Sequence, residues 1–502
     1  MEAEETSIIS RAIFFFCFLI MLCGVLAGQQ QKVVLTMEDV IAMAQEYSLD
    51  AMVTKNTFLA NYWSFRSHQA ELLPSLNFSA NVVNFDRSQR ALQDAGTGEI
   101  RYRLNNNMSN TGALSIDQNI ALTGGTISFS SSLDRLDQYS PLRNTIYSTQ
   151  PVTLRYLQPL WAYNRLKWEK KIQPERFEQA KVSYIESMED ITIKAVQYYF
   201  SLLLSQMSLE IAINNYENMK TMYSIASNRF RETGTVTHSE LLQLELRMVN
   251  DSLSITAQNR NYQARKMNLR SFLGYTDNTE IELVPKTEVS MVVLDYNFVI
   301  EKAFGNSSFL IGQKINKLEA ERLVEQAKAN RGVSVSLSAR FGLSNNDERF
   351  EAAYNDLMNY QVVGLSIRVP IIDWGMSRGR IQMAEAQRQT TLFRQEQALN
   401  DYIQGIYLDV MDFNMQQDLF QAASRAKDIA SKRYELTLQD FATGKASVME
   451  LNTAQSEKES AYVKYLSEVA NYWNNYFRIR KLTVYDFINE VDIFAEFEKL
   501  TI

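Results

Sequence analysis

The chain has 502 residues and a formal net charge of −7, a balance that argues against nucleic acid or another polyanion as partner. Only 7 prolines and 18 glycines fall in that length, which favours long uninterrupted helices, and a 46% apolar content gives ample core for two or three domains. Both cysteines, Cys17 and Cys23, lie in the first thirty residues, so neither disulfides nor thiol chemistry is expected of the rest.

Residues 12–31, "AIFFFCFLIMLCGVLAGQQQ", carry no charge. Val25 and Ala27 stand at the −3 and −1 positions of a signal-peptidase site, so residues 1–28 read as a signal peptide. The acidic start (Glu2, Glu4 and Glu5 against Arg11) departs from the usual basic n-region. A retained helical anchor needs about 20 apolar residues, and this run fades into glycine and glutamine too early. Lipidation at Cys23 wants a small residue before it, and Leu22 is large. Export with cleavage is the reading adopted, with a lipid on Cys23 left open.

Beyond this leader the chain repeats itself. Glu240 and Glu450 stand 210 positions apart, and "NYQARKMNLRSFLG" (261–274) parallels "NYWNNYFRIRKLTV" (471–484) at the same offset. Upstream, "QPLWAYNR" (158–165) parallels "VPIIDWGM" (369–376) at an offset of 211, and still earlier landmarks align at 259, so the first half carries 48 extra residues between them. The repeats read as 29–274, with strands at about 75–158, and 296–483, with strands at about 333–369. Residues 275–295 link them and 484–502 end the chain. A period this long is a duplication, not a solenoid of short units. Each half has one plan: a helix, strands, then two very long helices.

The strands alternate. Leu76, Phe78, Ala80 and Val82 interleave with Ser75, Asn77, Ser79 and Asn81. Val335, Leu337, Ala339, Phe341 and Leu343 interleave with serines, Arg340 and Gly342, and "VTLRY" and "GLSIRV" repeat the pattern. Within the excess of the first half, "LSIDQNIAL" and "TISFSSSL" add a hairpin at about 113–133, turned by "TGGT". One apolar and one polar face suits a sheet wetted on one side. In a soluble sandwich the apolar face meets a core; in an outer-membrane barrel it meets lipid. Four to six strands cannot close a membrane barrel, which needs at least eight, so a barrel here must be shared among chains.

The first long helix reads as about 175–231, on the order of 85 Å long. Ile185, Met188, Ala195, Tyr199, Leu202, Leu209, Ile213, Tyr216, Tyr223 and Phe230 fall on one 3–4 alternation. That is the period of a left-handed coiled coil. Its counterpart, about 377–441, has no proline. At the turn after each long helix, Gly234 and Gly444 suit a left-handed helix end. Thr237-x-x-Glu240 and Ser447-x-x-Glu450 then read as capping boxes opening the returning helix.

The duplication, "LLPSLNFSA" (72–80), "QPLWAYNRLKWEKKI", "RVPIIDWGMSRGRI" and the twin tips together resemble the TolC-type outer-membrane efflux proteins over nearly the whole mature length. "IDQNIALTGGTISFSSSL" with "LKWEKKIQPERFEQAK" is similar to the Bacteroidota branch of that family. The resemblance implies a mainly α fold with membrane β. Duplicated coiled-coil hairpins and barrel strands would make up a homotrimeric α/β-barrel channel-tunnel. It would span outer-membrane lipid and extend into the periplasm. A mixed belt would form from 275–295 and 484–502.

The implied function is a passive exit duct for efflux or type I secretion. Its implied partners are a periplasmic adaptor (a membrane fusion protein) and an inner-membrane pump of the RND or ABC class. In the family an acid six residues after the tip glycine lies by the periplasmic constriction. Glu450 matches that position, while the second gate acid is replaced by Thr453. Capping alone and capping with a gate role both stand for Glu450; for Glu240 capping alone is preferred. The loops at 233–236 and 443–446 are where the resemblance places adaptor docking. The extra hairpin departs from the family and leaves the strand count open.

The only histidines, His68 and His238, have no neighbours at ligand spacing, so no metal is expected. No nucleophile triad, phosphate loop or dinucleotide fingerprint appears, so neither an enzyme nor a bound cofactor is expected. The rival reading is a non-conducting exported coiled-coil scaffold of the cell envelope. The exported substrate is not written in these residues.

Overall fold

The computed structural model describes residues 32–93, 96, 98–140, 143–232, 237–275, 280–286, 289–443 and 445–494. The signal-peptide segment, both cysteines, Gly234 and Gly444 lie outside the described residues. The chain divides into two compact units: one of Met1–Thr57, Ser183–Ser307 and Ile403–Ile502, the other of Phe58–Val182 and Ser308–Tyr402.

The second unit holds a six-stranded antiparallel sheet. Its strands are β2 (Ser75–Gln93), β3 (Ile100–Ile120), β4 (Gly125–Ser140), β5 (Asn144–Trp161), β7 (Ser334–Asp347) and β8 (Met358–Arg368). They lie in the order β2-β3-β4-β5-β7-β8, so the two repeats join through β5 and β7. The extra hairpin is therefore part of the sheet, paired as fully as its neighbours. Its turn places Gly124 at φ 74°, the left-handed region that glycine enters without strain.

Register carries the alternation across strands. Leu76 pairs with Ile116, Ile116 with Phe129, Phe129 with Leu154 and Leu154 with Phe341, giving an apolar row over five strands. These side chains are exposed. On the opposite face Asn77, Ser115, Ser130, Thr153, Gly342 and Tyr360 form a row of small and polar groups. Among the described residues no helix is long and apolar enough to cross a membrane.

The inner ends of the strands are tied to helices α2 (Leu49–Glu71) and α3 (Arg165–Glu232). Gln118 and Asn119 donate to the Leu72 and Glu71 carbonyls that close α2. Asn164 donates to Ala121 and accepts from the Lys167 N–H, capping the start of α3. Helix α3 thus starts ten residues before the position expected from sequence and carries Pro174 inside it. Trp168 and Ile172 from its first turns pack on Ile315 of α6 (Ser308–Ala329).

The other unit pairs β1 (Lys32–Leu35) with β6 (Glu280–Leu283) in parallel, and β9 (Tyr485–Asp486) with β10 (Val491–Asp492). It contains α1 (Met37–Tyr47), most of α3, α4 (His238–Phe272), α5 (Tyr296–Gly305), the later part of α7 (Met376–Ala442), and α8 (Val448–Thr483). Its centre is aromatic: Phe413 of α7 meets Tyr472 of α8 at 5.3 Å and Tyr476 at 6.3 Å. The link between repeats is strapped down by polar side chains. Tyr199 donates to the Val284 carbonyl, Tyr472 to that of Ser290, and Asn414 bonds both the N–H and the carbonyl of Leu294.

One expectation needs correction. The seam read along 185–230 is inward only through Leu202 and Leu203. Beyond it Ala212, Met219 and Ala226 take the inward line at a spacing of seven, while Ile213 and Phe230 are 43% and 40% exposed. Alanine at two of these three inner positions, with Met219 between them, lets neighbouring helices approach closely, while Leu209, Tyr216 and Tyr223 are half-buried beside that line.

Candidate gate at the helical hairpin tips

Each returning helix is opened by a reciprocal cap. At α4, Glu240 N–H donates to Thr237 Oγ1 (3.3 Å), while the Thr237 N–H (2.7 Å) and hydroxyl (2.8 Å) donate to Glu240 Oε2. At α8, Glu450 N–H donates to Ser447 Oγ (3.2 Å), and Ser447 returns its N–H (2.7 Å) and hydroxyl (2.9 Å) to Glu450 Oε2. The backbone N–H of the cap residue, and then its hydroxyl, hold both carboxyls below their usual range. A depressed folded value means the cap is intact above the ordinary glutamate range and is lost as pH falls through the folded value.

The far end of α7 is closed by Lys445 N–H (2.8 Å) and Ala446 N–H (3.3 Å), both donating to the Asp440 carbonyl. Thr453 is exposed and donates back to the Met449 carbonyl at 2.8 Å, so its hydroxyl is committed to its own helix. His238 lies 6.0 Å from the Phe230 ring, an aromatic contact and no ligand set.

The two tips share a groove of about 670 Å³ lined by Glu240, Leu244, Arg247, Ser447, Thr453 and Glu457, among others. Glu450 is not on its wall; it stands exposed beside it. Between the hairpins runs a polar web invisible to the sequence reading. Gln455 donates to Asn215 (2.6 Å), and both donate to Glu459 (3.0 Å each). Nearby, Arg433 pairs with Glu457, and Lys458 sits 4.4 Å over the Tyr434 ring. The only sequence signal for this web is Asn215 beside the apolar line of α3, and its partners lie 240 and 244 positions away.

Residues 299–483 match the outer membrane efflux protein family. No curated protein matches the chain. Its fold is similar to the Campylobacter jejuni CmeC outer membrane channel, with TM-score 0.65 at 14% identity, covering 93% of this chain and 88% of that one. It is similar also to the outer membrane protein VceC of Vibrio cholerae (TM-score 0.60, 12% identity, 90% and 95% covered). The open MtrE outer membrane channel of Neisseria gonorrhoeae gives TM-score 0.57 at 12% identity, with 89% and 88% covered. Residues 299–483 thus carry the match to the outer membrane efflux protein family, and the chain as a whole shares the fold of these outer membrane channels.

Proposed function

We propose that three copies of this chain close their sheets into one barrel and form a passive exit duct. The observation that carries this is the six-stranded sheet, apolar on one face and polar on the other, whose edge strands β2 and β8 have no partner among the described residues. An open edge of this length in lipid leaves backbone groups unsatisfied, so closure with another copy is required. Three copies give 18 strands and a backbone radius of about 17 Å at ordinary strand spacing and tilt, wide enough for a water-filled bore.

No phosphate-binding loop or other energy-coupling motif is present in the sequence, so the driving energy comes from a pump in the inner membrane. A periplasmic adaptor joins the two and docks at the hairpin tips. The groove holding Arg247, Glu240 and Glu457 offers charge of both signs beside Leu244, a surface for a polar helical partner. In the trimer the three Glu450 carboxylates form an acidic ring at the inner end, where mutual repulsion favours bound cations.

Purified trimer in a planar bilayer tests both parts. We expect a current that divalent cations block from the tip side, and weaker block with Glu450→Gln. A detergent-stable trimer that conducts in neither form would overturn the duct. Block unchanged by the substitution would overturn the acidic ring while leaving the duct intact.

A further inference from the structure

Arg155 of β5 and Arg340 of β7 are directly opposite in the ladder. Residues paired this way point to the same side, and like charges directly opposed are unfavourable. Both side chains are exposed on the polar face. Neither makes a hydrogen bond or ion pair among the described residues. Two like charges held side by side are unfavourable, and at this level of the sheet the acid whose charge acts on Arg155 is Asp117.

The rest of their row is Ser75, Asp117, Ser128 and Val362. Asp117 is two strands from Arg155 and already accepts from Ser115 (2.9 Å) and Asn77 (3.2 Å). The level is therefore net positive by one charge per chain. The adjacent row, Asn77 to Tyr360, is uncharged. The other described acids of the polar face in β2 to β4, Asp86 and Asp134, lie further along the strands and are bonded by Asn105 and Thr111. Arg368 adds a third exposed guanidinium at the inner end of β8.

We propose that Arg155 and Arg340 form a charge filter inside the strand barrel that favours anionic cargo on its way out. The proposal rests on the shared-barrel reading above, in which the polar face lines the bore. Three chains then place six guanidiniums at one level. Across a bore of this width their field is screened at physiological salt and strong in dilute salt, where the Debye length reaches about 30 Å. The chemistry selected is a multivalent anion, since guanidinium binds phosphate and carboxylate groups through paired donors.

The test uses trimer in planar bilayers at low salt, with inorganic polyphosphate added to each compartment in turn. Wild type should be half-blocked from one side at a concentration at least tenfold lower than Arg155→Gln/Arg340→Gln. The charge-keeping pair Arg155→Lys/Arg340→Lys should stay within about threefold of wild type. Equal block of wild type and the glutamine pair, or no block of wild type, overturns the filter. A trimer without current overturns the duct instead, and polyphosphate binding by titration calorimetry then decides the filter. Binding lost with glutamine and kept with lysine supports it; binding indifferent to the substitutions overturns it.

Discussion

Phe341→Arg is expected to abolish the detergent-resistant trimer, whereas Ser338→Arg, three residues away on the same strand, leaves it intact. Phe341 lies on the apolar row of the sheet, paired with Leu154, and is 41% exposed in the single chain. In a lipid-facing barrel an arginine there costs about 2–4 kcal/mol near the bilayer midplane, and the trimer carries it three times. Ser338 is exposed on the polar face and makes only a weak bond, at 3.3 Å, to the Gly364 carbonyl. An arginine at that site faces water. The measurement is trimer survival against temperature on a semi-native gel. If both variants behave alike, the sheet does not have one lipid and one water face.

The second large effect is expected at a buried ionic cluster joining the repeats. Glu189 of α3 is 3% exposed and bonds Arg480 of α8 at 3.1 Å, and Arg480 also reaches Asp486 at 3.3 Å. Burial pushes the Glu189 carboxyl up to about 7, outweighing the attraction of Arg480, with the negative charge of Asp486 adding to the rise. Asp486 moves the other way. Its burial is outweighed by donors from the Tyr476 hydroxyl, the Asn489 N–H and the Asn489 amide.

A raised folded value for a carboxyl means that the native chain binds the proton more tightly than the unfolded one. Stability is therefore higher below the ordinary glutamate value and falls as pH rises toward 7. Glu189→Gln should flatten this slope and be at least as stable as wild type at pH 8. Arg480→Met should cost about 3–5 kcal/mol at pH 8, because it leaves the buried Glu189 carboxylate without its charge partner, and less at pH 5. Melting curves of the trimer at both pH values check this. A slope unchanged by Glu189→Gln would mean that another group carries the titration.

What the sequence disclosed follows the range of the interactions. The capping boxes at Thr237–Glu240 and Ser447–Glu450 close over three residues, so spacing alone exposes them. The strands are visible where a wet face alternates with an apolar one. The signal fades along β2, which runs on to Gln93 through "DRSQRALQ", because a register shift between Asn81 and Asn84 resets the alternation.

The start of α3 is hidden by Pro174, which sequence reading treats as a helix boundary although the turn before it is held by Asn164. The α3 seam is ambiguous for another reason. A helix with apolar groups on two faces fits one seam or two, and only burial distinguishes Ala212 from Ile213. The Glu189–Arg480 contact joins residues 291 positions apart and has no local trace.

In the proposed barrel β2 of one chain pairs with β8 of the next, and the ring closes at three. Residues 32–494 contain no cysteine, so introduced pairs react cleanly. Phe78→Cys on β2 is combined in turn with Val363→Cys, Leu365→Cys and Ile367→Cys on β8, all on the apolar face. After oxidation in native membranes, at least one register should yield covalent dimers and trimers and no longer species. A ladder running beyond three, or no cross-link in any register while the protein remains folded, would contradict it.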